Sequence, residues 1–203
     1  MMIKRNVAVV APVAGVLLGV LDFVWIRFVP FPFGELGNSI ATWAVAAFLL
    51  TFYGRWGIRA GLTGAVLCLV LAVPSYYLAA TAIQHDDLAN VYATTSLLWM
   101  GLAVVAGTVF GAAGVLARTS GRVRDAALAV PASVLFAEAI LNLLRIGDNN
   151  HKTTSLTAYA ILLIVLGVLI TTWLSRTRTG IVLLYAVPLT ALGTALLTTT
   201  GFH

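Results

Sequence analysis

The chain has 203 residues, of which 61% are apolar and only 9% are charged, and its formal net charge is +5 at pH 7. A typical soluble domain carries about 25% charged residues, so this composition excludes a soluble globular domain and a disordered chain. We therefore expect a polytopic membrane protein. The positive charge does not indicate nucleic-acid binding, because the basic residues lie in connections beside apolar segments. The single cysteine, Cys68, excludes an intrachain disulfide and a cysteine-based metal site.

Seven apolar segments follow one another along the chain. A helix needs about 20 apolar residues to cross the hydrocarbon, within a range of roughly 17–25. The second segment is the shortest, and a re-entrant second segment would leave six spans. The predicted fold is an all-α, single-domain bundle of seven transmembrane helices, with spans at 7–28, 37–53, 60–83, 92–117, 125–144, 154–174 and 181–200.

The basic residues predict the orientation of this bundle. Nine of them lie in connections on the side of the N-terminus, and only Arg27, Arg145 and Lys152 lie on the other side. Cytoplasmic connections carry an excess of Lys and Arg. We therefore expect the N-terminus in the cytoplasm, the C-terminus outside, and a multi-pass protein of the plasma membrane.

Pairs of glycines four residues apart lie within two of the predicted spans. Gly15 and Gly19 form one pair, and Gly107 and Gly111 form another. Small residues at this spacing let helix backbones approach closely in a bilayer. They predict tight packing between helices, and they could also support a homo-oligomer.

Two acidic residues lie inside predicted spans. A charged side chain at the centre of a membrane helix costs about 2.5–3.5 kcal/mol, and such residues usually face the bundle interior and mark function. Asp22 and Glu138 each lie six residues before the outer end of an outward-running span, about 9 Å below the boundary. Their common depth predicts a shared site with Asp22 and Glu138 as catalytic residues. Structural pairing with Arg27 and Arg145, or a structural bond from Glu138 to another helix, are the alternatives.

Large aromatic and polar side chains fall in the same layer as the two acids. An apolar cavity with a few converging polar groups is the usual form of a small-molecule site. Tryptophan and tyrosine also gather at membrane interfaces, so an aromatic belt is the alternative interpretation. The predicted substrate-binding residues are Trp25, Trp43, Tyr76, Tyr77, Trp99, Asn142 and Tyr159.

One acidic sequence has the form of a metal–diphosphate motif. Residues 86–90 read DDLAN, and the polar segment 148–151 could add ligands. Acidic oxygens suit Mg²⁺, but a solvated turn before a helix is the favoured interpretation of this outer connection. We expect no metal and no cofactor. Nucleotide-binding and hydrolase motifs are absent from the sequence.

One set of residues carries a resemblance to a known family: Asn38, Ser39, Trp43, Ala47, Phe48, Ser75, Tyr76, Tyr77, Trp99 and Glu138. Over roughly residues 15–140 the chain resembles a family of small uncharacterised bacterial integral membrane proteins, which implies no activity and does not include Asp22. In layout alone it is similar to the small seven-helix terpene cyclases, which implies intramembrane carboxyls among aromatic side chains. It is also similar to the substrate-binding subunits of energy-coupling-factor vitamin transporters, which usually have six helices.

These observations lead to three functional hypotheses. The first is a cofactor-independent terpene or meroterpenoid cyclase, or an isomerase, in which Asp22 protonates a lipophilic prenylated substrate and Glu138 stabilises charge or accepts the final proton. The aromatic rings would stabilise the carbocation. The second is an outward-facing subunit of a transporter that binds a small molecule. The third is a structural or partner-binding membrane protein that makes its contacts in the bilayer through the glycine faces.

Overall fold

The computed structural model describes residues 6–147 and 153–199, and over these ranges the chain is helical with no strand. Short 3₁₀ helices occupy two of the connections, at Phe33–Asn38 and Leu88–Tyr92. The α-helices of the described residues are α1 Val7–Phe28, α2 Ile40–Gly54, α3 Ile58–Gln84, α4 Thr94–Leu116, α5 Gly121–Leu144, α6 Thr153–Ser175 and α7 Thr179–Thr199.

Within the described ranges, six helices are long and apolar enough to cross a membrane, and α2 is not one of them. With 15 residues, α2 is about 22 Å long, whereas the hydrocarbon core is about 30 Å thick. The prediction of a multi-pass membrane protein is therefore supported, but the count of seven spans becomes six candidate spans and one short apolar helix. The orientation and the particular membrane stay predictions.

The shortness of α2 is explained by its position inside the bundle. It packs against α3, α4 and α5, and Ala41, Ala44 and Phe48 on it are buried. The Ser39 hydroxyl caps its N-terminus by accepting a hydrogen bond from the backbone of Thr42. Because the chain itself surrounds α2, this helix does not have to match the thickness of the lipid.

The long helices form two groups on either side of α2. In the first group, α1 and α4 both pack on α3, and in the second group α6 and α7 both pack on α5. The two groups also touch directly where α4 meets α5. As a result, α1, α2, α3 and α4 form a four-helix region, and α2 lies on the side of it that faces the α5–α7 group.

The glycine pairs explain how closely the first group is packed. A side chain at Gly15 or Gly19 would collide with the backbone of α3, at Cys68 and Ala72 respectively. A side chain at Gly107 would likewise lie 2.7 Å from the Cα of Val66. The predicted close packing is therefore confirmed. Since these glycine faces are occupied within the chain, they give no support to the predicted homo-oligomer.

The two ends of the bundle differ in charge. The end that holds the α2–α3, α4–α5 and α6–α7 connections carries most of the arginines, including Arg178, whose guanidinium lies 2.7 Å from the carboxylate of the buried Asp125. The opposite end holds the 29–39 and 85–93 connections, and both intramembrane acids lie in the half of the bundle nearest to it.

Candidate functional site

A cavity of about 240 Å³ lies among α1, α2, α3 and α4, below the 29–39 connection. Each of the four helices and the end of that connection contributes to its wall, and most of the wall is aliphatic or aromatic. It combines a carboxyl group with several aromatic rings in an otherwise apolar lining. The lining residues are Asp22, Ile26, Gly37, Asn38, Ser39, Ile40, Trp43, Ala44, Leu69, Val73, Tyr76, Tyr77, Trp99, Leu102, Ala103 and Ala106.

Asp22 supplies the carboxyl group of the cavity. It belongs to the inward face of α1, together with Gly15 and Gly19, because that face is drawn against α3. Its side chain is only 7% exposed. The indole of Trp43 on α2 lies within hydrogen-bonding reach of the carboxyl group. The structure therefore places Asp22 at a cavity with aromatic side chains, and its predicted catalytic role stays a prediction.

Four of the predicted substrate-binding residues line this cavity. They come from three helices: Trp43 from α2, Tyr76 and Tyr77 from α3, and Trp99 from α4. The ring of Tyr76 makes edge-on contacts with Phe23, at 5.5 Å between ring centres, and with Tyr77, at 5.4 Å. These edge-on contacts fix the orientation of the Tyr76 ring beside the cavity.

Glu138 lies on the other side of α2 and does not line the cavity. Its Oε2 accepts hydrogen bonds from the backbone N–H of Ala41, at 2.9 Å, and from the hydroxyl of Ser39, at 3.0 Å. Its Oε1 lies 3.0 Å from the hydroxyl of Tyr159 on α6. That same hydroxyl lies 3.2 Å from the backbone carbonyl oxygen of Glu35. We call Glu138, Ser39, Tyr159 and these two backbone groups the Glu138 cluster.

The N-terminal turn of α2 separates the two acids. Ala41 packs with Leu135 of α5 and Tyr159 of α6, whereas Trp43 packs with the α3–α4 side. The acids therefore approach the same turn from opposite faces, which agrees with their predicted common depth. Ser39 is shared, because it lines the cavity and also donates to Glu138.

The remaining predicted site residues have contacts outside the cavity. The indole N–H of Trp25 donates to the carbonyl oxygen of Phe33 at 2.8 Å, and this side chain is 43% exposed. It fastens the 29–39 connection to α1. The amide of Asn142 donates to the backbone carbonyl of Glu138 one turn earlier in α5, at 2.8 Å.

Two polar residues of the wall, Asn38 and Ser39, were not among the predicted site residues. Both precede an apolar helix, and Ser39 has the identity and position of an N-terminal cap. A capping position marks where a helix begins, and it does not indicate which neighbouring helices will enclose that end.

The acidic DDLAN sequence forms a turn. The Asp87 carboxylate accepts a hydrogen bond from the backbone N–H of Ala89 at 2.8 Å, at the start of the 3₁₀ helix Leu88–Tyr92. Over the ranges 6–147 and 153–199, no group of three or more His, Cys, Asp or Glu residues is placed to hold a metal ion. The polar segment 148–151 lies outside the described residues.

A second depression, of about 450 Å³, lies on the α5–α6 side of α2. Its lining is aliphatic apart from Thr42 and Trp173, and it includes no charged residue. It therefore lacks the convergent polar groups that orient a ligand, and the cavity at Asp22 is the better candidate site.

The chain belongs to a family of unknown function, DUF6518, whose family model matches residues 3–201. No curated protein and no solved structure matches the chain. The membership assigns no activity, and it gives no support to a relation with terpene cyclases.

Proposed function

We propose that the protein binds a small organic cation with apolar substituents in the cavity at Asp22, as a membrane receptor or as the binding subunit of a transporter. The observation that carries this proposal is the juxtaposition of one carboxyl group with Trp43, Tyr76, Tyr77 and Trp99 in a single apolar cavity. A carboxylate attracts a cation at long range, and aromatic faces attract it at contact.

The position of the carboxyl group favours binding of a cation over binding of a neutral ligand. A buried carboxylate without a cationic partner is costly in an apolar environment. The described lining of the cavity contains no lysine, arginine or histidine. A cationic ligand would supply the missing charge, and its apolar substituents would contact the aliphatic wall formed by Leu69, Val73 and Leu102.

The size of the cavity limits the ligand. Pockets for drug-sized molecules measure about 300–1,000 Å³, and this cavity measures about 240 Å³. A compact amine or quaternary ammonium compound therefore fits the proposal better than a large polycyclic product does.

The cyclase hypothesis has one observation in its favour, because the same carboxyl group and rings would protonate a substrate and stabilise a carbocation. In that case Asp22 is the acid. Glu138, which lies behind α2 and off the cavity wall, would act on the reaction only through the position of α2. The small cavity would restrict the substrate to a short prenyl unit.

The binding proposal is tested with the purified full-length protein in lipid nanodiscs. Tetraalkylammonium ions of increasing size are titrated by calorimetry, with the neutral carbon isostere of each ion as its partner. We expect the cations to bind and their neutral partners to bind at least tenfold more weakly, with an optimum at small size. Equal binding of both members of each pair, or no binding by any cation, would overturn the proposal.

A matched pair of variants locates the site. Asp22→Asn removes the carboxylate of the cavity, and Glu35→Gln removes one from the exposed connection above it. Both variants lose one formal negative charge, but only Asp22 lines the cavity. Asp22→Asn alone should therefore abolish selectivity for the cation. The cyclase hypothesis predicts a different result: an isomer of unchanged mass, formed from a short epoxidised prenyl compound by the wild type and not by Asp22→Asn.

A further inference from the structure

The hydrogen bonds of the Glu138 cluster define where its protons lie. Two donors, the backbone N–H of Ala41 and the hydroxyl of Ser39, both reach Oε2 of Glu138. The Ser39 hydroxyl in turn accepts from the backbone N–H of Thr42 at 3.1 Å, so its single proton is available for Glu138. Oε2 is therefore an acceptor in both contacts.

The contacts of Tyr159 indicate whether the other oxygen of Glu138, Oε1, carries a proton. Its hydroxyl lies 3.0 Å from Oε1 of Glu138 and 3.2 Å from the carbonyl oxygen of Glu35. A phenol has one proton to donate, and a backbone carbonyl has none. If Glu138 were ionised, one of these two oxygen pairs would have no proton between its members. If Oε1 carries a proton, Glu138 donates to Tyr159 and Tyr159 donates to Glu35, so each contact is a hydrogen bond.

The charged and titratable groups around Glu138 are consistent with a proton on Oε1. Tyr159 faces it from α6, Ser39 from the start of α2, and a backbone carbonyl from the 33–38 segment. Of the basic residues on its own helix, Arg122 and Arg124 lie near the opposite end, and Arg145, two turns further along at the C-terminal cap, is the nearest along the helix. A membrane-embedded carboxylate costs about 2.5–3.5 kcal/mol on insertion scales, and within residues 6–147 and 153–199 no salt bridge to Glu138 offsets that cost.

We infer that Glu138 is a neutral carboxylic acid at neutral pH, and that it acts as a positioning residue for the cavity. It joins four elements, because it holds the N-terminal turn of α2 to α5, to α6 and, through Tyr159, to the 33–38 segment. That turn carries Ser39 and, one turn further along, Trp43, both of which line the cavity. The charge state of Glu138 does not depend on what the cavity binds; its effect on binding rests on the proposed function.

The charge state is measured directly, because the chain contains only two glutamates, Glu35 and Glu138. Labelling the side-chain carboxyl carbon of glutamate with ¹³C gives one signal from each residue in the full-length protein in nanodiscs. The variants Glu35→Gln and Glu138→Gln assign the two signals. We expect the Glu138 signal to stay at the protonated position throughout a titration around neutral pH. A Glu138 signal at the carboxylate position at neutral pH would overturn the inference.

A pair of substitutions tests the positioning role. Glu138→Gln keeps the size and the donor–acceptor pattern of a neutral acid, since its amide can donate to Tyr159 and its carbonyl can accept from Ala41 and Ser39. Glu138→Asp keeps the acid but shortens the side chain. We expect Glu138→Gln to unfold at the wild-type temperature and to bind the cation within threefold of wild type, and Glu138→Asp to bind at least tenfold more weakly. A Glu138→Gln variant that unfolds well below the wild type would contradict the neutral state.

The two proposals fail separately. If no cation binds but the Glu138 signal is protonated, the proposed function is wrong and the charge state stands. If cations bind and Glu138 is ionised, the proposed function stands and this inference is wrong.

Discussion

Asp22 and Glu138 are the same kind of group at the same depth, yet they lie in contrasting environments. Asp22 faces an open cavity with one indole within reach, whereas three donors or acceptors enclose Glu138. An acid with space beside it is available to a ligand. An acid whose oxygens are already bonded to the protein stabilises the arrangement of the helices. The contacts of its oxygens therefore decide whether a buried carboxyl group can meet a ligand or holds helices together.

The largest expected loss of stability comes from a substitution at Glu138. Glu138→Leu removes the acceptor of the Ala41 N–H and of the Ser39 hydroxyl at once, whereas the Tyr159 hydroxyl keeps the carbonyl oxygen of Glu35. Each buried polar group left without a partner costs about 1–3 kcal/mol, so the two orphaned donors should lower the free energy of unfolding by at least about 2 kcal/mol. Thermal unfolding in detergent measures it.

The control for this variant is Glu35→Leu, because the Glu35 side chain is exposed and only its backbone carbonyl takes part in the cluster. We expect it to unfold at nearly the wild-type temperature. A Glu138→Leu protein as stable as this control would show that the cluster does not hold α2.

The next largest effect is expected from a substitution that displaces α1, the helix that carries Asp22. Gly19→Leu places a side chain against the backbone of Ala72, so α1 has to move away from α3. Overpacking of this kind costs about 1–3 kcal/mol, and the displacement of α1 should also abolish cation binding. Unfolding and calorimetric titration measure the two effects.

Gly101→Leu is the matched control, because nothing lies within 4 Å of the side-chain position at Gly101 on α4. Wild-type binding by Gly19→Leu would mean that the position of α1 does not define the cavity.

A smaller loss of cation affinity is expected from a substitution in the cavity wall, at Trp43. Trp43→Phe keeps an aromatic ring but removes the N–H that reaches Asp22, and phenylalanine attracts cations less strongly than tryptophan. We expect a loss of about 1–2 kcal/mol in binding free energy, roughly 5–30-fold in affinity, with little change in stability.

Trp173→Phe is the control for that variant, because Trp173 lies outside the cavity, is 57% exposed and packs on Tyr53. Equal binding by both variants would argue against a role for the Trp43 ring in the site.

The smallest expected effect concerns Trp25, which was predicted to bind substrate and lies outside the cavity wall. Trp25→Phe removes the hydrogen bond to Phe33, which is worth about 0.5–1.5 kcal/mol. Hydrogen exchange should become faster in the 29–39 connection, while cation affinity stays at the wild-type level. A tenfold loss of affinity without faster exchange would instead place Trp25 at the ligand.

The sequence was sufficient for those features that depend on local composition. The apolar segments predicted each helix of the described residues to within a few positions, and the glycine pairs predicted the close approach of α1 to α3. The depths of Asp22 and Glu138 also followed from the sequence, because depth is counted along a helix axis. Four of the seven predicted substrate-binding residues line one cavity for the same reason: they lie in one layer.

The neighbours of each side chain were decided only by the tertiary structure. Which helix packs on which depends on how all the faces fit together, so one sequence does not reveal that α2 lies between α1, α3 and α4 on one side and α5 and α6 on the other. That position explains why a helix of 15 residues suffices there and why Glu138 meets the start of α2 rather than Asp22. The sequence determined which residues lie in apolar helices and how far along each helix they lie, because these follow from composition and helix geometry. Packing determined which carboxyl group is left facing space.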